Sequence, residues 1–325
     1  MKKKPELYPL KFIPILKEKV WGGTKLSRLF GKELAENTGE SWEVSGVEGD
    51  ISVVVNGTFK GVSLVSLLET YKEALVGKKV YKTFGATFPL LFKFIDADQD
   101  LSVQLHPNDA LAKKRHNSFG KTEMWYVLDA DDDARIILGF SEKMDAETYL
   151  RHLSENKITE ILHSEKVQKG DSFFITPGVV HAIGAGVVIA EIQQTSDITY
   201  RIYDWNRPDI NGELRELHNE LAIDAITFEE TNAKLTYTEV ENEPLPLCTT
   251  PFFKTNKLTL TKNFTRNVVA LDSFVVYMCV EGAATVVTKN TSEEIKKGET
   301  LLIPASTSEI TIKTSSATIL EVYIP

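Results

Sequence analysis

Hydrophobic and polar positions alternate along Leu101–His106. Leu101, Val103 and Leu105 point one way, and Ser102, Gln104 and His106 point the other, because side chains alternate with period 2 along a strand. One apolar face backed by a face of metal-capable groups is the wall of a β-barrel lining a cavity. An ordinary solvated sheet edge shows the same alternation, so this strand alone decides nothing. Lys121–Leu128 also reads as a strand, with Lys121, Glu123 and Trp125 on one face. In Thr176–Gly184 a Pro177-Gly178 turn delivers His181 just ahead of another apolar run. The rest of the chain continues as short apolar runs separated by Gly, Asn and Asp turns. The pattern predicts a mainly β protein of the sandwich or barrel kind.

Helical spacing is confined to a few places. Leu64, Leu67, Leu68, Tyr71 and Leu75 share a face, and Ser63 is positioned to cap a helix over Ser63–Val76. Asn108 or Asp109 caps a short helix through Ala110–His116. A helical insertion over residues 145–163 starts at Asp145 and breaks near Asn156. A fourth helix is predicted over Glu216–Ile226. All four read as peripheral to a β core.

The chain repeats itself. Lys169-Gly170-Asp171-Ser172-Phe173-Phe174-Ile175-Thr176-Pro177 resembles Lys297-Gly298-Glu299-Thr300-Leu301-Leu302-Ile303-Pro304, and Trp125–Ala130 resembles Tyr277–Gly282. Two copies of one β-barrel unit are therefore expected. The copies differ in chemistry, since Val275 aligns with Glu123 and Ser308 with His181. The polar stretch Thr231–Pro251 is the expected connection. It divides the chain into a unit over 1–235 that carries the metal-capable strands and a C-terminal unit over 236–325 that has kept the fold without counterparts of Glu123 and His181.

Composition removes whole classes of function. The 325 residues are 42% hydrophobic and 26% charged, as in ordinary globular proteins. A net charge of −9 argues against non-specific nucleic-acid binding, although a local cluster of Lys and Arg still accommodates an anionic substrate. Cys248 and Cys279 are the only cysteines, so neither a disulfide framework nor a cysteine-rich zinc site is expected. Met1-Lys2-Lys3-Lys4-Pro5-Glu6 is basic, but no apolar run of signal-peptide length follows. No segment approaches the roughly 18 apolar residues of a membrane span. The cytoplasm is the expected location, with no membrane partner. Oligomeric state is not legible in the chain.

The three strands bring two imidazoles, a carboxylate and an amide oxygen toward one point: Gln104, His106, Glu123 and His181. Nitrogen and oxygen donors in that number suit zinc, which in catalytic sites keeps one position open. Beyond His181 comes Glu191-Ile192-Gln193-Gln194-Thr195-Ser196-Asp197-Ile198-Thr199-Tyr200-Arg201-Ile202-Tyr203-Asp204-Trp205. With Trp21-Gly22-Gly23, Gly39-Glu40-Ser41-Trp42-Glu43, Leu101–Asp109, Lys121–Leu128 and Pro177–Gly186, this run resembles the type I mannose-6-phosphate isomerases, most closely their short bacterial branch. The resemblance covers most of the chain. It implies two cupin-like, jelly-roll barrels and interconversion of mannose 6-phosphate and fructose 6-phosphate through an enediol or enediolate. It also implies one Zn2+ per chain on Gln104, His106, Glu123 and His181.

By the same resemblance Arg201 is the catalytic arginine, and Ser102 and Lys121 lie near the substrate phosphate. Arg207, six residues past Arg201, is a further phosphate contact. Glu191, Asp197, Lys121 and a metal-bound water are all candidates for the proton shuttle. Trp42 and Trp125 either line the pocket or simply pack in the core. Two rival readings use the same residues. Two histidines and a carboxylate on a β-barrel also describe a non-haem iron oxygenase, against which stand Gln104 and the Arg201 segment. A non-catalytic sugar-binding cupin has no need to keep all four ligands together with Arg201.

Overall fold

The computed structural model describes residues 4–32 and 35–325. The chain groups into two compact units. One comprises residues 16–41 and 93–235, the other residues 1–15, 42–92 and 236–325. The division is not contiguous along the chain, although one of its limits falls between residues 235 and 236. No helix among the described residues is long and apolar enough to cross a membrane.

The unit holding 93–235 is built on two sheets. The larger runs, edge to edge, through Ile15–Gly23, Thr38–Val44, Leu90–Ala97, Val187–Gln194, Glu123–Ala130, Ser172–Ile175 and Lys234–Leu235. The smaller runs through Tyr200–Tyr203, Val103–Leu105, His181–Ile183, Arg135–Phe140 and Leu162–Lys166. Neither order closes on itself, so of the sandwich and barrel plans expected this unit takes the form of two open sheets facing one another across a shared core. Trp21, Ile95, Trp125, Val127 and Ile189 of the first sheet share a core with Ile136, Leu138 and Ile183 of the second. Apolar area removed from water between the sheets, at about 25 cal/mol per Å2, is what holds them face to face.

The alternation that marked Leu101–His106 does its structural work here, with one change. Val103 and Leu105 pack outward in a second cluster with Tyr149, Tyr200 and Ile202. Leu101 precedes the strand and joins the inter-sheet core instead. Tyr149 comes from the Ala146–Ser154 helix, whose Asp145 cap accepts from the Thr148 amide at 2.7 Å. That helix ends before Asn156, which has a left-handed backbone. Asn108, not Asp109, caps the Asp109–His116 helix through the Leu111 amide at 3.0 Å. The helix expected over Glu216–Ile226 forms only as Asn219–Ala222.

The unit holding 236–325 carries one seven-stranded sheet, with the path Leu245–Thr249, Lys254–Leu260, Glu309–Tyr323, Val275–Val287, Ser292–Lys296, and with Phe264–Asn267 and Thr300–Ile303 pairing off that path. Pairing registers carry the repeat seen in the sequence. Trp125 stands opposite Phe173 and Glu191, and Tyr277 stands opposite Leu301 and Glu321. Likewise Glu123 pairs with Ile175 and Val275 with Ile303. The helix expected over Ser63–Val76 starts at its Ser63 cap but is interrupted at Lys72, giving Leu64–Tyr71 and Glu73–Val76. The stretch 231–251 is not a bare linker, since it contributes Lys234–Leu235 to one sheet and Leu245–Thr249 to the other.

Trp21-Gly22-Gly23 and Gly39-Glu40 owe their glycines to close approach. A Cβ on Gly22 would lie 2.2 Å from the Asn37 carbonyl oxygen, and one on Gly39 2.6 Å from the Trp21 ring. Both obstacles are backbone or a buried indole, which cannot rotate aside. Gly22→Ala should therefore lower stability by about 2–3 kcal/mol, the cost of overpacking at a rigid site. A chemical-denaturation midpoint unchanged from the parent would show that the two strands can separate without penalty.

Candidate metal centre and active site

His106, Glu123 and His181 are buried, and their donor atoms lie within 4.8 Å of one another. Each arrives for a local reason. His106 follows the Val103–Leu105 strand immediately, and its Nδ1 donates to the Ile198 carbonyl at 2.8 Å. Glu123 opens the Glu123–Ala130 strand. His181 opens its own strand just after the Pro177-Gly178 turn, where Gly178 takes φ +90° and donates its amide to the His106 carbonyl at 2.9 Å. That bond ties the turn carrying one imidazole to the backbone of the other.

The His181 Nδ1 likewise donates to a carbonyl, that of Val179, at 2.9 Å. With both Nδ1 atoms protonated in this way, each Nε2 keeps its lone pair for a Lewis acid. The His181 Nε2 is buried with no hydrogen-bond partner. An orphaned buried acceptor costs roughly 1–3 kcal/mol unless something engages it. The His106 Nε2 lies 3.2 Å from Glu123 Oε1 and 3.2 Å from the Lys121 ammonium, which also binds Glu123 Oε1. These two imidazoles and one carboxylate fit a divalent ion, which satisfies the orphaned nitrogen and the buried carboxylate together.

Protonation states follow from burial and neighbours. Burial and the adjacent His106 push His181 down to about 3. Burial, reinforced by the Lys121 charge, lowers His106 as well. Burial raises Glu123, but Lys121 and the two histidines overcome it and hold the carboxyl well below its usual range. At neutral pH the set is two neutral imidazoles and one carboxylate, the ligand-competent form.

Behind Glu123 lies a chain of charge. The Trp125 indole Nε1 is 3.1 Å from both Glu123 Oε2 and Glu191 Oε1. Glu191 Oε2 is 3.1 Å from Lys93, which is 3.7 Å from Glu40. Burial and the Glu123 charge raise the Glu191 carboxyl. Burial opposes charge on Lys93, yet Glu191 and Glu40 hold its ammonium above the ordinary lysine range. Lys93 escaped the sequence reading, although a lone charge inside Phe88-Pro89-Leu90-Leu91-Phe92-Lys93-Phe94-Ile95 is a signal in itself.

Gln104 stands directly opposite both His181 and Arg201 on adjacent strands. Directly opposed residues project to the same side of a sheet, so the three form a row. Gln104 Oε1 accepts from the Ser102 hydroxyl at 3.2 Å. The Arg201 guanidinium donates from Nη1 to the Glu216 carbonyl at 2.9 Å, and burial lowers its pKa. Among the described residues it makes no ion pair with Asp197 or Glu191. Asp197 is exposed, whereas Lys121 and Glu191 are buried. Arg207 is held by the Asp100 carbonyl and lies 3.6 Å from Asp204. Trp125 belongs to the site through its indole N–H, and Trp42 is buried. Asp204, Arg215 and His218, which pack around Arg201, were not singled out beforehand, because separation along a loop gives no periodic signal.

Residues 10–133 match the model of the phosphomannose isomerase type I catalytic domain, and residues 245–324 match that of the mannose-6-phosphate isomerase cupin domain. The chain is 37% identical over 311 residues to the mannose-6-phosphate isomerase ManA of Bacillus subtilis, covering 94% of this chain and 96% of that protein. It is 36% identical over 290 residues to the mannose-6-phosphate isomerase of Streptococcus mutans, covering 88% and 89%. The crystal structure of the Bacillus subtilis mannose 6-phosphate isomerase superimposes with a TM-score of 0.88 at 31% identity, over 97% of this chain and 99% of that one.

Elemental analysis of His106→Ala and His181→Ala should show loss of bound divalent metal in both. Full occupancy in both variants would remove these residues from the ligand set. In metal-free protein, His181 also makes stability depend on pH. The unfolded chain takes up a proton near 6.5 that the folded chain refuses until about 3, so stability falls as pH drops through that window. Between pH 7 and pH 5 this one group removes about 2 kcal/mol. Glu191, shifted the other way, acts in the opposite sense, so the test is a difference: urea titrations of metal-free parent and His181→Gln should lose unequal stability on acidification, the variant less. Equal losses would contradict a neutral buried His181.

Proposed function

Because the chain belongs to the type I phosphomannose isomerase family and is an isomerase acting on mannose 6-phosphate, we propose that it uses one zinc ion held by Gln104, His106, Glu123 and His181 and proceeds through an enediol or enediolate. The observation that carries this reading is the pair of buried imidazoles, each pinned at Nδ1 by a carbonyl with Nε2 turned to Glu123. When bound, zinc supplies Lewis-acid polarisation of the substrate oxygens at C1 and C2. Gln104 is a ligand in this reading through its side-chain oxygen, which the Ser102 hydroxyl already orients.

The protein's own groups do the rest. Moving the carbonyl from C1 to C2 takes a proton from C2 and returns one to C1, while a hydroxyl proton passes from O2 to O1. Glu191 accepts and returns the carbon proton. Its burial and the nearby Glu123 charge raise it toward the pH at which it works in both directions. Lys121, buried beside Glu123, donates toward the oxygens. Arg201 stabilises the negative charge that develops as C2 loses its proton. The phosphate is bound by Ser102, Lys121 and Arg207, where guanidinium geometry suits a phosphate oxygen pair.

These roles separate in kinetics. Arg201→Ala should be folded and metal-loaded, with turnover on mannose 6-phosphate reduced by about 10²–10³ and a modest change in KM, as for loss of one oxyanion donor. Arg207→Ala and Ser102→Ala should instead raise KM and leave turnover largely intact. A coupled assay on mannose 6-phosphate measures all three. Near-parental turnover in Arg201→Ala would reassign it to a structural role.

A further inference from the structure

The loop that leaves the Tyr200–Tyr203 strand and returns at His218 is closed on Arg201 at both levels of its structure. The His218 amide donates to the Arg201 carbonyl at 2.7 Å, and the Arg201 amide donates to His218 Nδ1 at 3.1 Å. The guanidinium Nη1 donates to the carbonyl of Glu216, which sits on the same loop. The side chain is therefore aimed by a loop carbonyl, not by an acidic partner.

Two arginines of the loop face Asp204, Arg207 at 3.6 Å and Arg215 more closely. Asp204, 6% exposed, accepts both Nε and Nη2 of Arg215 at 2.7 and 2.6 Å. A buried carboxylate is costly unless paired in this way, and the two-bond fork fixes orientation as well as distance. Immediately after Asp204, Trp205 and Asn206 both take left-handed φ values, +56° and +52°. Two consecutive non-glycine residues in that region cost energy and persist only where surrounding contacts enforce them. Arg215 is the residue directly before Glu216. Its pair with Asp204 thus holds the carbonyl that receives Arg201 against the end of the strand that carries Arg201.

We propose that the Asp204–Arg215 pair is a latch that fixes the Arg201 guanidinium, whose strand position is in one row with Gln104 and His181, which makes Arg215 a positioning residue for the isomerisation. The proposal rests on the catalytic reading of Arg201. With the latch broken, Glu216 is free to move, and a guanidinium misplaced by about 1 Å loses much of its effect on the transition state.

The test is a double-mutant cycle on the full-length, metal-loaded enzyme, with metal content and thermal midpoint recorded for each variant. Arg215→Ala should lower kcat on mannose 6-phosphate by about tenfold to a hundredfold with KM nearly unchanged, and the isosteric Asp204→Asn should lower kcat to a similar extent. Arg201→Ala combined with Arg215→Ala should be no slower than Arg201→Ala alone, because the latch acts only through Arg201. Parental kcat in folded, metal-loaded Asp204→Asn overturns the latch while leaving the role of Arg201 intact. A raised KM with unchanged kcat overturns it too, since the pair then serves binding, and so does an additive double variant. Normal turnover in Arg201→Ala is a separate failure, that of the reading on which the latch depends.

Discussion

Holding a carboxylate ionised in a dry interior is the constraint on which the catalytic unit depends. Glu123 has no access to solvent, and an isolated buried charge of that kind is far too costly to keep. Its charge survives because Lys121 touches one oxygen and the Trp125 indole N–H the other. The indole is shared with Glu191, Glu191 is paired with Lys93, and Lys93 reaches Glu40. The chain crosses neighbouring strands of the larger sheet, so sheet register sets the electrostatics. The imidazoles solve the opposite problem by staying neutral. Their Nδ1 protons go to backbone carbonyls, which leaves their Nε2 atoms as acceptors that a divalent ion would fit.

The second unit shows the same register put to a different end. Tyr277 opposite Glu321 repeats Trp125 opposite Glu191, with the Tyr277 hydroxyl 3.0 Å from the carboxylate. Here the carboxylate is saturated from within the protein, by the Arg266 fork at 3.1 and 2.8 Å and by the Asn256 amide at 2.8 Å. Val275 occupies the register position of Glu123. A guanidinium has answered the buried charge, and no donor set converges there among the described residues. The duplicated fold therefore tolerates two solutions to one electrostatic problem, only one of which leaves donors for a metal.

How much of this was legible in the chain depends on whether the cause was local. Period-2 alternation located the strands carrying Gln104 and Glu123, with His106 just past the end of the first, and the caps at Ser63, Asn108 and Asp145 sit at the helix starts. The internal repeat predicted matching registers in two units. The predicted helix over Glu216–Ile226 shrank to four residues, because Leu217 is exposed and the segment is committed to holding Arg201 and Arg115. The assignment of residues 42–92 to the second unit was invisible, since no composition shift marks where the chain passes between units. Sandwich and barrel were both open readings because alternation reports a buried face, and either plan buries it; the strand orders here do not close. Lys93 and Arg215 are long-range partners whose meaning exists only once strands and loop are assembled.

The row Arg201–Gln104–His181 explains why a loop is needed at all. Opposed strand positions are spaced by about 5 Å, so the Arg201 backbone stands about 10 Å from that of His181. Histidine and glutamine are short, and their strand positions nearly determine where their donor atoms fall. Arginine is long, with about 2 kcal/mol of rotamer entropy to lose, and the strand fixes only its root. Orientation of the guanidinium must come from elsewhere, and the Glu216 carbonyl supplies it. The sheet sets Gln104 and His181 by register, while the far end of the one long side chain in the row is set by a loop with left-handed φ at Trp205 and Asn206. Position along this row thus has two sources of unequal stiffness, sheet register for Gln104 and His181 and the loop for the Arg201 guanidinium.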